Sequence, residues 1–311
     1  MKKEILYTMK SPYRDDFNIY GYRFGSGKRS LAIVGAIRGD EIQQQYTCAT
    51  LIKLLSEMES AGSLVPDYEI LVIPSANPFS MNIGKRFWSM DNTDINRMFP
   101  GYDKGETTQR IAATLFDCVK EFKYGVQLAS YYIPGEFVPH VRMLDTGYQN
   151  EKVAKYFGMP YVYEKSVTPY DTALLNYNWQ IWGTKAFSIY TGHTDKLLEG
   201  CVDSAVEALL RFMVNVGIAT TSVRPGFLSE KITNADLVVV KTTTSGFLSK
   251  KRVAQDSVRA GDLLAEVVDP YDASIREMIF APVNGVVFFN QEKPLVIEGA
   301  KVFEIVEEKI V

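Results

Sequence analysis

The side chains able to do chemistry crowd into the first third of the chain. Arg38-Gly39-Asp40-Glu41 follows an apolar run, and further on come Asn77-Pro78, Arg86-Phe87 and the stretch Asp91-Asn92-Thr93-Asp94-Ile95-Asn96-Arg97-Met98-Phe99-Pro100-Gly101. Carboxylates such as Glu41 and Asp40 can ligate a metal or take a proton, and the planar guanidinium forks of Arg86 and Arg97 suit bidentate recognition of a carboxylate. Imidazole is scarce. His140 and His193 are the two histidines of the sequence, and they form no His-x-x-Glu or paired-His pattern. His140, in Pro139-His140-Val141-Arg142, reads as a surface or supporting group. His193 follows Gly192 and is placed to share a cavity with Glu41 and Asp40. Cys48, Cys118 and Cys201 are far apart without CxxC spacing, so they indicate neither a thiolate zinc site nor a disulfide framework. Each reads as a small buried thiol in an apolar helix.

These residues need elements to position them. Residues 31–36 form an apolar run ending in small residues, and Gln43 to Met58 has helical periodicity, which predicts strand, loop, helix around Arg38–Glu41. Tyr68–Ile73 predicts a second strand leading into the Asn77 motif. Thr107–Phe122 predicts a helix, Tyr124–Leu128 and Ala186–Tyr190 further strands, and Asp203–Val216 a closing helix. The alternation implies a mixed sheet with helices on both faces. After Thr220 the texture changes to short β-rich segments punctuated by turns, which suits a small all-β barrel or sandwich. The chain has 311 residues, 46% hydrophobic and 23% charged, enough for two domains. Its net charge of −3, without a basic run, argues against nucleic acid as a partner. No segment reaches the roughly 18 apolar residues of a membrane span, and the N-terminus has no apolar core of a signal, so a cytoplasmic location is expected.

Taken in order, these motifs resemble the succinylglutamate desuccinylase/aspartoacylase family, a branch of the zinc carboxypeptidase clan. That family's first motif reads G-x-H-G-x-E and its second N-P…R-F…D-x-N-R-x-F-P-G; the second is almost whole here. The resemblance implies an α/β, mixed-sheet, zinc-carboxypeptidase-like (phosphorylase/hydrolase-like) deacylase domain over 1–220. It also implies a small C-terminal all-β barrel over 221–311, similar to a biotinyl/lipoyl carrier, carried by Ser245-Gly246-Phe247, Val258–Leu264, Ala281–Val286 and Val296–Gly299. The turn Val268-Asp269-Pro270-Tyr271-Asp272 lacks the lysine a carrier needs, so a structural or oligomerising role is expected of it.

By the same resemblance, zinc would be held by two histidines and a glutamate beside an open position for water. Arg38 stands at the first histidine, and a guanidinium has no lone pair to give and repels a dication. Ala129, in Gln127-Leu128-Ala129, stands at the third ligand. Tyr190, in Ser188–Gly192, stands at the general base, where a phenol of pKa about 10 serves poorly at neutral pH. Glu41 alone survives of ligands and base. No bound cofactor is therefore expected. Arg86, Asn96 and Arg97 match the residues that hold the substrate carboxylate and polarise its carbonyl. The plainer reading makes them buried ion pairs with Asp91 and Asp94. A specific expectation is that the Arg38 guanidinium takes the metal's place and pairs with Glu41. Trp88, Tyr131, Tyr132, Trp179 and Trp182 are expected in loops around the cleft, no more than two of them lining a ligand pocket.

The first functional expectation is an impaired family member that binds a small anionic acyl-amino-acid or peptide-like carboxylate ligand, with homo-oligomerisation left open. The second is an active deacylase- or carboxypeptidase-type hydrolase with a non-standard metal site drawn from Glu41, Asp40, His193 or Tyr190. The third is a structural protein with a vestigial cleft, against which the retained arginines argue, since burying cations without use is costly.

Overall fold

The computed structural model describes residues 1–309, in two compact units. The N-terminal unit comprises Met1–Ser130, His140–Ile189 and Asp195–Lys231; the other comprises Tyr131–Pro139, Tyr190–Thr194 and the chain from Ile232 on. The main division thus follows Lys231, where the sequence texture suggests 220/221. The strands and helices run β1 (Lys2–Met9), β2 (Phe17–Phe24), β3 (Lys28–Ala36), α1 (Ile42–Ser60), β4 (Tyr68–Ser75), α2 (Pro78–Met81), α3 (Thr107–Val119), β5 (Tyr124–Ala129), β6 (Gly135–Asp145) and α4 (Glu151–Ala154). They continue with β7 (Tyr161–Ser166), α5 (Leu175–Ile181), β8 (Lys185–His193), α6 (Glu199–Asn215), β9 (Glu230–Thr233), β10 (Leu237–Lys241), β11 (Gly246–Lys250) and β12 (Ser257–Val258). The last are β13 (Leu263–Val268), β14 (Ile275–Phe280), β15 (Gly285–Gln291), β16 (Leu295–Val296) and β17 (Lys301–Glu307).

In the N-terminal unit the sheet order is β1-β2-β4-β3-β5-β8-β6, with β7 beside β6. β3 is central and parallel to both neighbours, Ile33 standing opposite Val72 on β4 and Val126 on β5. A central parallel strand is covered on both faces, which explains why the last seven residues of β3 are all buried. One face packs on α1 and α6 through Leu51, Leu55, Leu209 and Phe212. The other packs on α3 and α5 through Ile111, Leu115 and Trp179. Period-2 alternation divides each strand between them. Tyr124, Val126 and Leu128 of β5 join the first core, whereas a Cβ on Gly125 would stand 2.7 Å from the Trp179 ring of the second.

The other unit is built on strands. β10, β17 and β15 form one antiparallel run, β12 pairs with β15, and β14-β13-β11-β16 form a separate four-stranded sheet. Its core includes Leu264, Val267, Phe303 and Ile305. The turn between β13 and β14 is held by Asp269, which accepts from the Tyr271 amide at 2.7 Å and from Arg276 Nε at 2.7 Å. Tyr271, at its tip, is 96% exposed. No helix among the described residues is long and apolar enough to cross a membrane.

Candidate functional site

The loop from β3 into α1 is the centre of the site, and its shape follows from Gly39. A Cβ there would lie 2.2 Å from the Lys85 carbonyl oxygen, so the loop can press against the Lys85–Arg86 loop, where the Gly39 amide donates to Arg86 O at 2.9 Å. This brings Glu41, the residue before α1, back over its own loop. Its carboxylate is wholly buried. One oxygen accepts from the Ile37 and Arg38 amides at 3.1 and 3.0 Å. The other accepts from Ser130 Oγ at 2.9 Å and meets Arg38 Nη1 at 3.4 Å. Arg38 is 5% exposed. It also pairs with Asp94, whose carboxylate receives Nη2 at 2.8 Å and Nε at 3.2 Å. Asp94 also caps the short 3-10 turn Ile95–Arg97, accepting from the Asn96 amide at 3.0 Å.

The remaining arginines have partners of their own. Arg86 donates to Asp40 at 2.6 Å. Asp91 instead holds the Thr93 amide at 2.9 Å, a local turn contact. Arg97, one-third exposed, donates to the Tyr170 carbonyl and lies 3.9 Å from Asp171. Asp171 accepts from Lys165 and from Thr168 through its amide at 2.9 Å and hydroxyl at 2.7 Å. Burial alone would raise the Asp171 pKa, but the bonds from Lys165 and Thr168 outweigh it and hold the carboxyl below the ordinary aspartate value. Asn96 is buried, and its Oδ1 accepts from the Leu175 amide at 3.4 Å, joining the 3-10 turn to α5.

The fold therefore brings Arg38, Glu41, Arg86, Asn96 and Arg97 into one connected region of the N-terminal unit. Ala129 ends β5 beside them, its carbonyl accepting from Gln44 Nε2 at 3.3 Å. Tyr190 groups with the C-terminal unit, buried with its ring edge-on to Tyr131 at 5.5 Å and to Phe137 at 6.0 Å. His193 is in that unit too, 3.3 Å from Glu292 and 3.8 Å from Glu136. His140 is not a surface residue. It is fully buried on β6, between β8 and β7, with Arg142 Nη2 3.3 Å from its Nε2. Two aromatics expected in cleft loops are core residues: Trp88 packs edge-on to Phe17 at 5.1 Å, and Trp179 on α5 donates to the Val119 carbonyl at 3.2 Å. Trp182 is exposed and covers Phe116 at 5.2 Å, and Tyr132 is exposed.

Sequence reasoning missed Ser130, which anchors Glu41, and a set of buried amides: Gln44, Gln127 on β5 and Asn176 on α5, whose Nδ2 donates to Ser188 Oγ at 2.9 Å. The available signal is polarity within apolar runs. Gln127 interrupts Tyr124–Ala129, a strand buried from end to end.

Residues 27–128 match the family model described as the succinylglutamate desuccinylase/aspartoacylase catalytic domain. No curated protein sequence matches the chain. Among solved structures, a succinylglutamate desuccinylase/aspartoacylase from Rhodobacter sphaeroides is 18% identical with a TM-score of 0.77, covering 95% of this chain and 90% of its own. The product-bound ectoine utilization protein EutE (DoeB) of Ruegeria pomeroyi is 18% identical with a TM-score of 0.77, over 94% and 90% of the two chains. An aspartoacylase family protein of Mesorhizobium loti is 16% identical with a TM-score of 0.79, over 99% and 95%. Residues 27–128 thus match the catalytic-domain model of that family, and the chain as a whole shares the mixed α/β fold of these solved structures.

Proposed function

We propose that this protein binds an acylated amino-acid or peptide-like carboxylate ligand and does not carry out zinc-dependent hydrolysis. The observation that carries the reading is the saturation of Glu41. A carboxylate offers about four lone-pair directions, and Glu41 meets two backbone amides, a hydroxyl and a guanidinium. None is left facing a metal. The remaining residues do not fit zinc either. Ala129 has no donor atom, and no group of three His, Cys, Asp or Glu side chains suited to a metal occurs among the described residues. A fixed guanidinium adds repulsion: at about 4 Å and an effective dielectric near 20, a dication and a monocation repel by about 8 kcal/mol.

Ligand recognition falls to the retained polar residues. Arg97, the most exposed of the three arginines, suits the ligand's carboxylate, with Arg86 held in place by Asp40 and Asn96 by Leu175. The ectoine utilization protein of this fold holds a product, which accords with a binding role for the fold. The C-terminal strands, without a lysine at the Asp269–Asp272 turn, have a structural or oligomerising role.

Metal content by mass spectrometry on protein purified without chelator, followed by calorimetric zinc titration, tests the reading. The expected result is no stoichiometric zinc. Binding at micromolar affinity or better, abolished by Glu41→Ala, would sink it.

A further inference from the structure

A cavity of about 610 Å³ lies between β1 and the first turns of α3, built from residues that the site above does not use. Its volume is within the range of roughly 300–1,000 Å³ usual for small-molecule sites. Arg110 and Thr114 supply one wall from successive turns of α3, Tyr7 and Met9 of β1 supply another, and Asp103 and Lys10 form an exposed rim. The loop carrying Asp103 leads from the Asn96-Arg97 turn into α3 and is pinned to that same stretch of helix. The Tyr102 amide donates to the Gln109 carbonyl at 3.2 Å, and a Cβ on Gly101 would lie 2.1 Å from the Ala113 nitrogen.

The polar groups around the cavity fall into two sets. Lys10 is neutralised by Asp16 at 2.8 Å, and the Thr8 hydroxyl donates to Asn18 Oδ1 at 2.7 Å. The guanidinium of Arg110, the carboxylate of Asp103 and the hydroxyl of Thr114, by contrast, have no hydrogen bond or ion pair among the described residues. For Thr114 this is informative, because a helical threonine commonly turns its hydroxyl to the carbonyl one turn back. For Arg110 the Nε is buried as well, out of reach of the water that would satisfy it on an open surface. A cation and an anion thus line one cavity without meeting, and the charges around it cancel, Lys10 against Asp16 and Arg110 against Asp103.

That balance defines what the cavity can take. A simple anion would satisfy Arg110 but bring like charge toward Asp103, and a simple cation would do the reverse. A small molecule carrying both charges satisfies both. We infer that this cavity binds a free α-amino acid with an apolar side chain. The planar Arg110 fork receives the α-carboxylate, to which the Thr114 hydroxyl also donates. Asp103 accepts from the α-ammonium, and the side chain packs on Tyr7 and Met9, a thioether being well suited to fit varied apolar shapes. The inference does not depend on the ligand-binding reading above, because none of these residues belongs to that site.

The test removes one charge of the ligand at a time. The full chain is titrated by calorimetry with L-leucine, L-methionine and L-phenylalanine, and with analogues of each lacking one charged group: for leucine, isocaproate without the ammonium and isopentylamine without the carboxylate. At least one amino acid should bind, and each of its analogues should bind about tenfold more weakly or worse, a charge-assisted hydrogen bond being lost in each case. Arg110→Met should weaken the amino acid at least about tenfold, and Arg110→Lys, which keeps the charge without the fork, by less. Asp103→Asn, at an exposed position that threatens no core, should bring the amino acid down to the level of its carboxylate analogue, so that the preference for an ammonium disappears. Failure of all three amino acids to bind at millimolar concentration would overturn the inference and leave the cavity to water; this measurement needs no variant to fold. Equal binding of an amino acid and its deaminated analogue would make the cavity a plain oxyanion site and overturns it too. Binding that survives Arg110→Met does the same, and if it is then lost in Arg97→Met the amino acid sits in the site described above, which leaves the ligand-binding reading standing.

Discussion

The charged corner of the N-terminal unit and its neutral floor handle buried polarity in opposite ways. At the corner, Arg38, Glu41, Asp94 and Ser130 satisfy one another, and the loop amides complete the set. On the floor, Gln127 and Asn176 keep one amide atom each without a partner. A closed set of charges is stable by itself and recruits nothing. Buried neutral groups left without partners are a standing cost to the fold.

The largest effect should come from opening the corner. Arg38→Met strands Glu41 and Asp94 as buried carboxylates and should cost about 3–5 kcal/mol in urea unfolding; a loss below about 1 kcal/mol would mean the corner is not held by charge. Next, the double variant Arg38→His with Ala129→His removes the guanidinium and supplies two imidazoles beside Glu41. Stoichiometric zinc is expected, with stabilisation of about 2.7 kcal/mol at a hundredfold excess over Kd. If this variant folds without taking up zinc, the bar lies in the saturation of Glu41 and not in the Arg38 charge. On the floor, Gly125→Val would drive a branched side chain into the Trp179 ring and should cost about 1–3 kcal/mol, read by thermal unfolding; no loss would show that α5 can retreat from β5. The smallest effect concerns the rim. The Asp171 carboxyl is held below its ordinary value, so its contribution is present above the unfolded pKa near 4 and is lost as pH falls through the lower folded value. Asp171→Asn should therefore destabilise by about 1 kcal/mol at pH 7, and the gap to wild type should close below about pH 4. A gap that persists at pH 2 would assign the loss to packing.

Much of the frame was legible because it rests on local pattern. The apolar run before Arg38 is β3, the periodic stretch after it is α1, and the strand, helix and strand that follow lie where period and turn residues put them. The Arg38–Glu41 contact was legible too, being three residues apart. The stronger Arg38–Asp94 contact spans 56 positions and depends on how two loops meet, which spacing does not encode. His140 was misread because Pro139 and Arg142 beside it suggest a surface, whereas β6 is flanked by strands on both sides. α5 escaped notice because Leu175–Ile181 is short and asparagine-rich; its packing against β5 through Trp179 overrides weak propensity.

The interleaving of the two units also bears on how such a chain can be cut or inherited. Tyr131–Pro139 and Tyr190–Thr194 are supplied from within the N-terminal part of the sequence, yet they belong with the strands after Ile232, Phe137 standing opposite Phe289 on β15. A gene ending at Lys231 would leave Tyr131 and Phe137 without the Phe289 ring they pack around, exposing an aromatic surface prone to aggregation. The C-terminal strands are thus not a detachable module, and a lineage that lost them would have to rebuild two inner segments of the remaining sequence at the same time.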